Sequence, residues 1–134
     1  MKAFFDTNIL VYSTTDDARK QRAADCLRGG GCVSVQVLNE FVYVARRKLR
    51  HDWPQIDLAL GLFRASFDDV VSVTLNTHTA AVSLARDHGL SFYDALIVAS
   101  AIETCCDILY TEDLQHGRVF GGLAIVNPFL ESAS

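Results

Sequence analysis

Short apolar runs at residues 3–5, 32–35, 70–73, 108–110 and 124–126 are each bounded by polar or turn-forming residues. Runs of this length predict buried strands. Between them the apolar spacing lengthens to three or four residues, which predicts helices. One begins just after Asp6-Thr7-Asn8, and others cover about 16–27, 36–49 and 54–67, the last opened by Pro54. Asn76 or Thr77 can cap the next helix, which ends at His88-Gly89, with glycine in its usual C-terminal place. The helix at about 92–104 follows Ser91 and is apolar on nearly every side, as a buried helix is. Strands alternating with helices predict right-handed crossovers and a three-layer α/β/α fold, with a mainly parallel sheet of four or five strands.

The 134 residues fit one domain, 1–134, half of them hydrophobic. We find no internal repeat, linker, leader or long apolar span, so the expected setting is the cytoplasm, away from membranes. Cys26, Cys32, Cys105 and Cys106 form no Cys-x-x-Cys pair and are expected to be buried reduced thiols. The histidines lack zinc spacing. A net charge of −4 argues against nucleic-acid binding by bulk attraction. Arg46, Arg47, Lys48 and Arg50 nevertheless crowd one predicted helix end, with Arg19, Lys20 and Arg22 in another helix. They read either as helix-end cations on a solvated face or as a phosphate-contacting patch.

Four acids change the picture. Asp6 directly follows the first strand and Asp113 closely follows the fourth, so a parallel sheet places both at one rim, where α/β folds collect ligands. Asp94 and Glu40 lie near the starts of helices that begin at that rim. Each has an ordinary alternative. Asp6 can cap a helix, Ser91-x-x-Asp94 is like a capping box, and Glu112 and Asp113 can be turn residues. A helical wheel sets Glu40 opposite the stripe of Leu38, Phe41, Val42, Ala45 and Leu49, as for a solvated glutamate. Taken together, clustered carboxylates repel one another unless a cation neutralises them. An all-oxygen donor set suits Mg²⁺ or Mn²⁺, and such an ion can draw a polyanion into an acidic pocket.

Asp6-Thr7-Asn8 after an apolar strand resembles the opening motif of the PIN-domain nucleases. Ser34 with Leu38-Asn39-Glu40-Phe41 resembles their second motif, and residues 94–101 their third. Leu109-Tyr110-Thr111-Glu112-Asp113 resembles the fourth, a Thr-x-Asp at a strand end. The four occur in order over almost the whole chain. At this length the chain is most similar to VapC-type toxins. The resemblance implies a Mg²⁺- or Mn²⁺-dependent endoribonuclease that acts on RNA as a homodimer and is held inactive by a cognate antitoxin, which would place an Arg or Lys in the pocket. It implies Asp6, Glu40, Asp94 and Asp113 as the metal-binding catalytic acids, with Asn8 and Thr111 in support. Past the Thr-x-Asp the chain has Leu114-Gln115-His116-Gly117, where many relatives carry a further acid and an aromatic. The fourth acid is thus Glu112 or Asp113, and the spacing favours Asp113.

A dehalogenase-like phosphatase needs an acid at position 8, which is Asn. A receiver domain would want paired acids after the first strand, which are lacking. A PIN-type nuclease of RNA maturation or decay, and a catalytically idle binding module, stay open. Apolar residues around 53–67 suit a dimer or an antitoxin surface. The RNA itself is not legible.

Overall fold

The computed structural model describes residues 1–130. Among them the chain forms six strands and six helices: β1 (Ala3–Phe5), α1 (Thr7–Ser13), α2 (Lys20–Arg28), β2 (Cys32–Ser34), α3 (Val35–Arg47), α4 (Trp53–Ser66), β3 (Asp69–Val71), α5 (Leu75–His88), α6 (Phe92–Glu103), β4 (Ile108–Tyr110), β5 (Val119–Phe120) and β6 (Leu123–Val126). The sheet order is β3-β2-β1-β4-β6-β5, parallel except for the β5–β6 pair. The architecture is the expected three-layer α/β/α arrangement with a mostly parallel sheet. Its strand order reverses between β1, which leads outward through β2 to β3, and β4, which leads to β6 on the other side. The crevice at the carboxyl ends of β1 and β4 is therefore the topological switch point, where such folds hold ligands.

The central strands are apolar because both faces are covered. Phe4, Phe5, Val33, Leu109 and Ile125 are fully buried. Phe5 stacks on Tyr110, and Phe41 meets Phe63 edge-on at a centroid distance of 5.0 Å. Helix α6 is buried continuously from Ala95 to Ala101 and packs along α5 and against β2 and β4. This agrees with its all-round apolar sequence.

Several boundaries differ from the sequence expectations. Residues 16–19 are not helical. Asp17 accepts from the backbone and guanidinium of Arg19, and this local turn delays α2 to Lys20. Helix α5 is capped by Thr74, not by Asn76 or Thr77, and Thr77 instead closes a reciprocal capping box at its third position. Ser34 ends β2 and caps α3 through its hydroxyl, one residue earlier than expected. The two-residue strand β5 has no counterpart in the apolar pattern. Its pairing comes from the Gly121-Gly122 hairpin turn that folds it back on β6. All four cysteines are free thiols, but Cys105 is exposed rather than buried, at a positive φ of 58° just after α6. No described helix is long and apolar enough to cross a membrane.

Candidate metal centre

Asp6 leaves β1 at the switch point. Its N–H donates to the Tyr110 carbonyl at 3.0 Å, which extends the β1–β4 pairing by one residue. Its buried carboxylate caps α1: Oδ1 accepts the Thr7 N–H at 2.6 Å, and Oδ2 accepts the Thr111 hydroxyl at 2.6 Å. Capping α1 therefore does not exclude Asp6 from a site at the switch point. The Thr111 oxygen in turn accepts the Asp113 N–H at 3.1 Å, fixing the turn after β4. Asp94 stands in the first turn of α6, where the Ser91 hydroxyl accepts its N–H at 3.4 Å. One oxygen from each of Asp6, Asp94 and Asp113 lies within 4.8 Å of the others.

The electrostatics follow from this crowding. Burial first, and then the neighbouring Asp113 and Asp94, push the Asp6 carboxyl up to about 7 against the lowering hydrogen bonds from Thr111 and Thr7. Asp113 is raised by its own desolvation and then by Asp94 and Glu112. A divalent cation would relieve both effects. The donor set fits one: three oxygens spread over no more than 4.8 Å compare with about 4 Å across an octahedral Mg²⁺ bound at about 2.1 Å. A second observation agrees. Asn8 donates from Nδ2 to Asp113 at 3.1 Å, while its buried Oδ1 has no partner and is free to accept from a water on the ion.

Glu40 lies outside that compact trio but lines the same cavity, of about 470 Å³. The helical wheel is wrong about its surroundings. The glutamate is half-buried, with Oε2 accepting from the Thr7 hydroxyl at 2.7 Å and Oε1 accepting from the Gln36 amide nitrogen Nε2 at 2.8 Å. Glu112 turns away from the trio. It accepts from the Tyr12 hydroxyl and, at 3.1 Å, from Arg19, whose guanidinium lies over the Tyr12 ring. Sequence reasoning missed Gln36 and Thr7 as holders of Glu40. Gln36 had a signal, since it lies four residues before Glu40 on one helix face. Of the cationic cluster, Arg46 and Arg47 lie over Trp53 and Tyr43, and Lys48 lines the acidic cavity.

Thr111 touches Asp6 with its hydroxyl hydrogen and the Asp113 backbone with its oxygen. Thr111→Val is therefore expected to weaken divalent-ion binding by about 10–100-fold, as loss of a ligand-orienting hydrogen bond does. A Mn²⁺ titration followed by electron paramagnetic resonance checks this, and unchanged affinity would contradict the orienting role.

The PIN-domain family model matches residues 3–120. The chain belongs to the PIN-domain family. No curated protein matches it. Among solved structures, this PIN domain is similar to a toxin–antitoxin complex from Klebsiella pneumoniae, at 22% identity and a TM-score of 0.74, covering 96% of this chain and 98% of that one. It is also similar to Mycobacterium tuberculosis VapC20, described as a sarcin-ricin loop cleaving toxin, at 22% identity and a TM-score of 0.71, covering 84% and 90%. A third neighbour is VapBC2 from Rickettsia felis bound to a promoter DNA fragment, at 20% identity and a TM-score of 0.67, covering 93% and 97%. A larger apolar cavity of about 570 Å³, away from the acids, lies between α2 and α4 of this PIN domain and is lined by Leu27, Leu58, Leu62 and Phe63.

Proposed function

We propose that this PIN domain is a divalent-metal-dependent endoribonuclease, the toxin of a toxin–antitoxin pair, acting in the cytoplasm as a homodimer. The observation that carries the nuclease reading is the convergence of Asp6, Asp94 and Asp113 at the switch point, beside the unpartnered Asn8 oxygen. The toxin reading draws on two of the neighbours above, one described as a toxin and one as a toxin–antitoxin complex. Exposed Leu58 and Leu62 offer an antitoxin apolar surface on α4.

On this reading Asp6, Asp94 and Asp113 hold Mg²⁺ or Mn²⁺. When bound, the ion supplies Lewis-acid polarisation of the phosphodiester and makes a water more acidic. The protein's own groups do the placing. Thr111 and the Thr7 N–H hold Asp6 in one orientation, and Asn8 holds Asp113. Glu40, clamped by Thr7 and Gln36, orients the attacking water. In-line attack by water leaves a 5′-phosphate and a 3′-hydroxyl.

The test is cleavage of total cellular RNA by the purified protein. Activity is expected to require Mg²⁺ or Mn²⁺, to stop with a chelator, and to be absent from Asp94→Asn. Metal-independent RNA binding without cleavage would instead make the chain a binding module. Growth arrest on expression, relieved by co-expressing the product of an adjacent small gene, separates a toxin from a maturation nuclease.

A further inference from the structure

Two exposed tyrosines share the cavity with the acids, and nothing in the acid chemistry requires them. Tyr43 is 60% and Tyr93 63% exposed, and both line the cavity that holds Asp6, Glu40, Asp94 and Asp113. Their positions follow the acids closely. Tyr43 stands three residues after Glu40 on α3, so the two side chains share a helix face. Tyr93 immediately precedes Asp94 in the first turn of α6. Each ring is therefore held by the same backbone that places an acid. The Arg47 guanidinium lies over the Tyr43 ring, 5.5 Å from its centroid, within cation–π range. Lys48 is the one basic side chain lining the cavity among the described residues.

We infer that Tyr43 and Tyr93 are stacking platforms for the unpaired bases that flank the scissile phosphate, with Lys48 contacting the backbone between them. This rests on the nuclease reading above for the identity of the strand. Ring faces accept any base, and a base can reach them only when it is not stacked within a duplex. The acids attract the phosphodiester only through a metal ion, so binding strength has to come from elsewhere. Two large aromatic surfaces and one cation beside the acids supply it. A protein partner is the competing occupant of exposed tyrosines. The four carboxylates and the lysine around these rings match a metal-bridged polyanion better than an apolar protein surface.

The experiment uses the full chain carrying Asp94→Asn to silence cleavage, and a short mixed-sequence single-stranded RNA containing the fluorescent base 2-aminopurine. Stacking quenches this base. Quenching is expected on binding, and expected to be lost with Tyr43→Ala or Tyr93→Ala but retained with Tyr→Phe at either position. Affinity should fall roughly 5- to 150-fold per ring removed, the range found for single base–aromatic stacks. In the active background the same alanine variants should raise KM far more than they lower kcat, and the RNA annealed to its complement should bind poorly. Quenching and KM unchanged in both alanine variants would overturn the inference. So would unchanged RNA binding with a shift in sedimentation, which would make the tyrosines a protein interface. If the wild type cleaves no RNA with either metal, the nuclease reading fails, and the quenching measurement still decides the stacking one.

Discussion

Asp6→Asn is expected to abolish metal-dependent RNA cleavage, by roughly 10³-fold or more, and yet to make the metal-free protein melt at a higher temperature above neutral pH. The first half follows from losing a buried carboxylate from the trio, since a bound ion contributes several kcal/mol to the transition state. The second half follows from burial. The Asp6 carboxyl is raised from 3.8 to about 7 in the folded chain. Below pH 3.8 it is protonated whether the chain is folded or not. As pH rises from there to about 7, only the folded form keeps its proton, so this group's contribution to stability falls and then levels off above about 7. The loss at full ionisation is on the order of a few kcal/mol, at about 1.4 kcal/mol for each pH unit of displacement. Asparagine cannot ionise. It remains a good helix cap, its oxygen can take the Thr7 N–H, and the Thr111 hydroxyl can turn to accept from the new amide. Thermal melts of wild type and variant from pH 5 to 8, with chelator and with Mn²⁺, read the effect. Mn²⁺ should raise the wild-type midpoint most at high pH, where protons no longer compete for Asp6, and should leave Asp6→Asn nearly unmoved. A variant that melts lower than wild type at pH 8 without metal would refute the burial argument.

Gly31→Ala is expected to cost on the order of 4 kcal/mol, enough to leave much of the protein unfolded at physiological temperature. Gly31 has a φ of 143°, and a Cβ there would lie 2.6 Å from the Ala3 carbonyl oxygen and 2.7 Å from the Phe5 ring. Neither neighbour can yield. One is backbone of the central strand, and the other is a fully buried ring packed against Phe67 and Tyr110. Gly89 makes the useful comparison. It also has a positive φ, 65°, where it ends α5, but a Cβ there would meet nothing within 4 Å. Gly89→Ala should therefore cost only about 1 kcal/mol. Urea denaturation of both variants separates collision from backbone strain, and equal losses would mean that the contact at Gly31 is unimportant.

The parts of the fold that rest on strong periodicity were readable in the chain. The apolar triplet Ala3-Phe4-Phe5 followed by Asp6 is a buried strand with an acid at its carboxyl end, and the continuous apolar character of α6 is met by burial from Ala95 to Ala101. Asp94 and Asp113 could be brought to the same rim because parallel strands and the helices after them share one edge. Glu40 shows where this reasoning stops. A helical wheel reports which side faces the core, yet α3 begins at the rim, where Glu40 is half-buried and bonded to Thr7 of α1 and to Gln36 one turn earlier in its own helix. What sets Glu112 apart from Asp113 is a contact no local pattern contains, its pairing with Tyr12 and Arg19. Strand β5 was invisible because two residues have no period. The start of α5 at Thr74 was hidden because Thr74, Asn76 and Thr77 are all competent caps.

The hydrogen bond from Thr111 to Asp6 joins residues 105 positions apart, across the β1–β4 pairing. In a chain made from its N-terminus, β1 emerges early and waits for almost the whole domain before its central neighbour exists. Pairings this distant in sequence form late in folding. The acid trio therefore comes into being only after β4, with Thr111 and Asp113 just beyond it, has left the ribosome and docked. On the nuclease reading proposed above, the growing polypeptide therefore carries no assembled site until nearly the whole domain has been made.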